Sequence, residues 1–295
     1  MRSALTAEWR KLLGHTRAVS FLVWIYPIGA LVIVLLLEIL PGLFIDSVRD
    51  LAALNPPLWT EDSLVVWNTM NGFPGGTFLR MPFLGFIAIA FAGEYQWGTW
   101  KNILPHQSRT RLILSKFMVL GLLILLSLLL TSLVITAGGW VTAVLFDLPY
   151  GPALSELDLA AFLQEAVMQV FVTFAGTLIV AAYAALIAMY SRSIMASLLL
   201  SVGLSIVEFA TSLILLIVSQ ALQRPEIVNA LMITPTYNLE NIRSWIVEGA
   251  GSTLGGFPGF TAVPLLPTSI IIIGLWLVGL LGLTAVVFRR QDITT

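Results

Sequence analysis

The chain of 295 residues contains no cysteine, which excludes disulfides, thiolate metal sites and a thiol nucleophile. It has two histidines, His15 and His106. Their wide separation in sequence argues against an all-histidine metal site. Charge is scarce: Asp, Glu, Lys and Arg make up 11% of the residues, against roughly 25% in soluble domains. Too little polar surface is available to cover a globule in water. No G-x-x-x-x-G-K-[ST] loop occurs, since no glycine is followed by lysine. No segment is long and polar enough to fold as a nucleotide-binding domain. The zinc-protease pattern H-E-x-x-H is also absent.

Apolar sequence is abundant. Hydrophobic residues make up 58% of the chain, and several runs of about 20 residues can each cross a bilayer core of roughly 30 Å. Period-two alternation is not evident, so the spans read as helices rather than barrel strands. The expected fold is an all-α integral membrane protein, one transmembrane domain over 1–295. Six spans fall at about 19–39, 78–92, 117–146, 162–190, 194–219 and 268–288. The first reads as a retained span rather than a cleaved leader. Gly138-Gly139 is a candidate break in the third, and Pro27 and Pro82 are candidate kinks. Long loops, rich in Pro and Gly, occupy 40–77 and 220–267, with a short helix expected at Ile242–Val247. Gly-Phe-Pro-Gly recurs before the second and sixth spans, which shared turn chemistry explains.

Six spans place both termini on one side. That side carries eleven of the fifteen Lys and Arg residues: Arg2, Arg10, Lys11, Arg17, Lys101, Arg109, Arg111, Lys116, Arg192, Arg289 and Arg290. The positive-inside rule makes it the cytoplasm.

One cytoplasmic loop, 93–116, is unusual. Wound as a helix, Glu94–Leu104 gathers Trp97, Trp100, Ile103 and Leu104 on one face and Glu94, Gly98, Lys101 and Asn102 on the other. Pro105 would end this helix, and Ser108 is placed to cap the next. Arg109 and Arg111 then sit at a helix N-terminus, where the macrodipole disfavours cations. Attraction to anionic lipid accounts for such a loop, as does a docking surface for a cytoplasmic protein. The N-terminal stretch 2–17 reads as an amphipathic interfacial helix with Leu5, Trp9, Leu12 and Leu13 on its apolar face.

Glu94, Gly98-Thr99, Ser108-Arg109 and Lys116 together resemble the E-x-x-x-G-T…SR…K signature of ABC-2 type permeases, the transmembrane subunits of ATP-binding-cassette exporters. The opening Glu8-Trp9-Arg10-Lys11 and the tail Phe288-Arg289-Arg290-Gln291-Asp292-Ile293 extend the match. The resemblance implies that the loop after the second span is a coupling helix seated on an ATPase subunit, with Glu94, Gly98, Thr99, Lys101 and Arg109 as coupling residues. It implies two cytoplasmic ATP-binding subunits, which hold the ATP and Mg; no cofactor belongs to this chain. It also implies a second permease copy or a paralogue, a prokaryotic cell membrane and no nucleic-acid partner. The cargo it suggests is an amphipathic drug, antibiotic, peptide or lipid-like compound.

Inside the membrane, Glu208 lies near the middle of the fifth span. A carboxylate there costs roughly 2.5–3.5 kcal/mol on insertion scales, so it is protonated, paired or wet. Ser197, Ser201, Ser205, Glu208, Ser212 and Ser219 fall within roughly 80° of one another on the helix, so this stripe meets protein or water rather than lipid. Close helix packing explains it, as does a substrate path at a permease dimer axis lined by Ser201, Ser205, Glu208 and Ser212. In the fourth span Glu165, Gln169, Thr173, Gly176 and Thr177, continued by Ala181, Ala184, Ala185 and Ala188, read as a packing seam. The third span reads as lipid-facing. The alternative function is a secondary transporter or channel using Glu208, against which stands the lack of an evident mid-span basic partner.

Overall fold

The computed structural model describes residues 6, 9–10, 16–73, 75–100, 108–253 and 263–291. The interfacial helix expected over 2–17 lies almost wholly outside them, as do Lys101 and the second Gly-Phe-Pro-Gly.

The described residues are overwhelmingly helical, and six helices are long and apolar enough to cross a membrane. The first apolar stretch, Val19–Phe44, comprises α1 (Thr16–Ile33), a π-helical segment (Val34–Ile39) and α2 (Leu40–Phe44). It is followed by the short helices α3 (Asp46–Leu54) and α4 (Trp59–Asn71). The remaining long helices are α5 (Gly75–Gln96), α6 (Arg109–Leu145), α7 (Leu159–Ser191), α8 (Ile194–Ala221) and α10 (Leu266–Arg290). Between the last two lie a 3-10 segment (Pro225–Ile233) and α9 (Pro235–Val247). The stretches expected to be long loops are therefore largely helical. α4, the 3-10 segment and α9 cap one end of the bundle; the turn 191–194 and the ends of α5 and α10 form the other.

α5 and α7 are central, with α8 and α10 packed against α7 and α6 packed against α1 and α4. Small residues make the centre possible. Ala181, Ala184, Ala185 and Ala188 of α7 are buried, and without bulky side chains they let neighbouring backbones approach closely. α8 and α10 are the least buried long helices. Their outer faces show Leu199, Leu200, Val207, Ile214, Ile271 and Leu275, as expected for surfaces whose solvent is lipid.

Two expectations about the helices need correction. α6 runs unbroken through Gly138-Gly139. The glycines serve contact instead: a Cβ on Gly138 would lie 2.6 Å from Val34, and one on Gly139 1.9 Å from the Asp62 carboxylate. α6 is not a lipid-facing filler either. Leu112, Ile113, Leu120, Ile124 and Leu128 are core residues, and its Ser127 hydroxyl donates to the carbonyls of Leu22 and Val23 in α1. The leucine-rich run concealed this because it is apolar on every face, so periodicity could not show which side was covered. Pro27 and Pro82, the candidate kinks, lie inside helices that continue past them.

Candidate functional site

The signature stretch is a helix stop. α5 ends at Gln96, and Gly98 takes φ +64°. The Thr99 N–H donates to the Glu94 carbonyl at 3.1 Å and the Gly98 N–H to the Tyr95 carbonyl at 3.2 Å. This is the paired pattern of a Schellman cap, whose central residue needs a left-handed backbone. A Cβ on Gly98 would meet nothing within 4 Å, so the glycine is there for its φ and not for close approach. The continuous amphipathic helix expected over Glu94–Leu104 is thereby corrected. It fails because helical periodicity in composition does not register a residue that takes a positive φ.

The cap sets up a buried ion pair. With the chain reversed at Gly98, the Thr99 hydroxyl donates to Glu94 Oε2. Glu94 Oε1 accepts from Lys116 Nζ at 2.7 Å, and Lys116 also donates to the Ala90 carbonyl at 2.8 Å. The two charged side chains are 4% and 0% exposed. A pair this dry holds only because further hydrogen bonds satisfy both groups. The Lys116 ammonium also lies 5.2 Å from the centre of the Trp100 ring and 5.5 Å from that of Phe91, where ring quadrupoles favour a cation. Trp100 is buried against Phe288 of α10, centroids 4.6 Å apart, whereas Trp97 is half-exposed. The two tryptophans thus do not share one interfacial face.

Arg109 resolves the dipole conflict at the start of α6. Its Nη1 lies 3.0 Å from the Phe288 carbonyl, 3.0 Å from that of Arg289 and 2.5 Å from that of Gln291. The guanidinium thus sits at the negative C-terminal end of α10, which outweighs its position at an N-terminus. Gln291 completes the joint by accepting from the Tyr95 hydroxyl and donating to the Met189 carbonyl at 3.0 Å. Ser108 precedes α6 in extended conformation but makes no side-chain cap. Of the expected coupling residues, Glu94, Gly98, Thr99 and Arg109 are brought together here, and Lys101 lies outside the described residues. Lys116, which carries the counter-charge, was missed as a site residue although it stands in the signature.

The polar stripe of α8 faces the protomer's own interior. Ser197, Ser201, Ser205, Ser212 and Ser219 are buried, while Leu199, Leu200, Val207 and Ile214 lie outward. Ser205 shares a hydrogen bond with Tyr183 of α7 at 2.6 Å. Ser212 donates to the Glu208 carbonyl at 3.0 Å. Glu208 Oε1 accepts from Thr236 of α9 at 2.5 Å.

Glu208, Ser205, Tyr183 and Thr236 line a cavity of about 330 Å³ among α5, α7, α8, α9 and α10. Its other charged residue is Arg80 of α5, which is 6% exposed. The sequence shows no mid-span basic partner for Glu208; the structure brings Arg80, from near the start of α5, to the same cavity. Helix α9, whose fold back over the bundle brings Thr236 to Glu208, was not foreseen at this length. The lone arginine in "GGTFLRMPFLGF" was the available signal for Arg80.

A bundle of six membrane-crossing helices with a capped, ion-paired reversal between the second and third fits the membrane part of a transporter driven from outside itself. The family model for "ABC-2 family transporter protein" matches residues 5–159, just over half of the chain, and the chain belongs to that family. It is thus a multi-pass membrane protein and an ABC permease, of a kind that associates with an ATP-binding subunit. No curated protein matches the sequence.

Proposed function

We propose that this chain is the permease subunit of an exporter for an amphipathic compound, working as a pair with a second copy or a paralogue on two cytoplasmic ATPase subunits. ATP and Mg belong to those subunits. The charge distribution supports a cytoplasmic position, in a prokaryotic plasma membrane, for both termini and the loop 93–116.

The observation that carries the reading is the joint at the end of α5. Glu94 is engaged within the protomer by Lys116 and Thr99, and Arg109 is engaged by α10. In this reading they hold the loop rigidly to three spans. The half-exposed Trp97 beside the Gly98 reversal faces the partner, and Lys101 keeps the coupling role that the sequence signature gives it. A push on the loop then reaches α5, α6 and α10 together. Ser201, Ser205, Glu208 and Ser212 belong to the substrate path, with Glu208 and Ser205 at the cavity.

Reconstitution in liposomes tests this. The chain with a co-purified ATP-binding subunit is expected to move solute only when ATP is present. Movement of solute by the chain alone, with neither companion nor nucleotide, would overturn the proposal and favour a secondary transporter built on Glu208 and Arg80.

A further inference from the structure

Arg80 is placed as few arginines are. Its guanidinium lies between two glycines: a Cβ on Gly76 would come within 2.9 Å of Nη1, and one on Gly176 within 2.9 Å of Nη2. Among the described residues its Nε has no hydrogen-bond partner, and Nη2 reaches Asn71 Oδ1 only at 3.5 Å. A buried cation ordinarily requires an anion and full hydrogen bonding. Glu208 is the carboxylate of the same cavity, yet among the described residues no ion pair joins the two. Glu208 has a hydroxyl donor in Thr236 and, among the described residues, no cation in direct contact. One charge of each sign is thus held apart across one space.

Apart from Thr77, Thr234 and the hydroxyl groups already named, the rest of the lining is apolar. Leu204, Leu239, Leu280, Val180 and Trp276 surround the charged groups. The volume of about 330 Å³ is at the lower end of the roughly 300–1,000 Å³ common for ligand pockets, sufficient for a headgroup and the first part of a chain.

We propose that this cavity binds a zwitterionic amphiphile, with its anionic oxygens at Arg80, its ammonium at Glu208 and its apolar body along Leu204, Leu280 and Trp276. Guanidinium suits the forked oxygens of a phosphate or carboxylate. The carboxylate beside Thr236 suits an ammonium, whose three protons are all donors. An amphiphile with one charge would leave the opposite wall unpaired, which is the basis of rejection. The proposal names the cargo class of the permease and rests on the cavity being its substrate site.

Equilibrium binding to the purified full chain in detergent micelles tests it, using fluorescent probes of equal chain length. Lysophosphatidylethanolamine and Nε-lauroyl-lysine carry both charges, a monoalkyl phosphate the anion alone and an alkylammonium the cation alone. At least one of the two zwitterions is expected to bind ten-fold or more tighter than either single-charge probe. Preference for the first identifies a membrane lipid as the source, and preference for the second an amino-acid amphiphile.

Glu208→Gln is expected to erase the advantage over the phosphate probe, and Arg80→Gln the advantage over the ammonium probe. A general packing defect would weaken all probes alike. Equal weakening by both variants, equal binding of a single-charge probe by the wild type, or no saturable binding would each overturn the proposal. The wild-type comparison decides should a variant fail to fold. No ATPase subunit takes part, so a negative result leaves the ATP dependence of transport standing as a separate question.

Discussion

Replacing Lys116 by Met keeps the length and apolar stem of the side chain and removes only its charge. Glu94, 4% exposed at its side chain, then keeps the Thr99 hydroxyl but loses the Lys116 cation. Stranding one member of a buried pair costs about 3–5 kcal/mol. The reciprocal change, Glu94→Gln, strands the ammonium, but the Ala90 carbonyl at 2.8 Å and the two aromatic faces remain. Its cost falls toward about 3 kcal/mol, the low end of the same range. Glu94→Gln with Lys116→Met leaves no charge to desolvate and is expected within about 1 kcal/mol of wild type, as when a buried pair is exchanged for neutral groups. The sum of the single costs then exceeds the cost of the double variant by at least about 5 kcal/mol, which is the coupling between the sites. Reversible unfolding in mixed micelles, titrated with a denaturing detergent, measures all four proteins. A double variant destabilised by the sum of the single changes would refute the claim that the pair acts as a unit.

Two further outcomes follow from local geometry. Gly98→Ala should destabilise by about 1–2 kcal/mol, the left-handed penalty for a residue with a Cβ, with Gly98→Asn retaining more stability. Faster amide exchange at Thr99 is the readout, and unchanged exchange would mean that the positive φ is not required. Burial pushes the Asp62 carboxyl in α4 above the usual carboxylate range, while the hydrogen bond from Tyr150 works the other way. A raised folded-state value makes protonation stabilising. That contribution is complete below the unfolded pKa of about 3.9 and is lost as pH rises through the folded value. Asp62→Asn should therefore be more stable than wild type at neutral pH and lose this part of the acid dependence. Midpoints measured across the acid range check the sign; an unchanged pH profile would count against it.

The six spans were legible because burial in lipid demands long apolar runs and little else. Their environments were less so. Nothing in "VLGLLILLSLLL" shows that Leu120, Ile124 and Leu128 would be core while Leu122, Leu126 and Leu129 lie outward. At the loop, the residue types were visible but not their connection. Glu94 and Lys116 are separated by 22 positions, and Arg109 reaches carbonyls about 180 positions away. Such pairings depend on which helix ends meet, and one-dimensional patterning carries no record of that. The serine stripe was correctly grouped on one face, since 100° per residue suffices for that. What the face looks upon, namely Tyr183 of α7, Arg80 of α5 and Thr236 of α9, depends on which helices pack beside α8 and on α9 folding back over the bundle. Thr234 caps that helix and Pro235 opens it, but neither residue specifies where the helix lies.

The Arg109–Gln291 joint has a consequence for motion. The ends of four spans are riveted where α5, α6, α7 and α10 converge, while the pocket of Arg80 and Glu208 opens farther along the same rods. Tilting a rod by a few degrees at the rivet barely shifts atoms there but sweeps its distant portion by ångströms, as the blades of a fan spread widest away from the pin. Loading the pinned end would thus change the shape of the pocket more than that of the joint itself, and the gap between one fixed cation and one fixed anion is the dimension that would change.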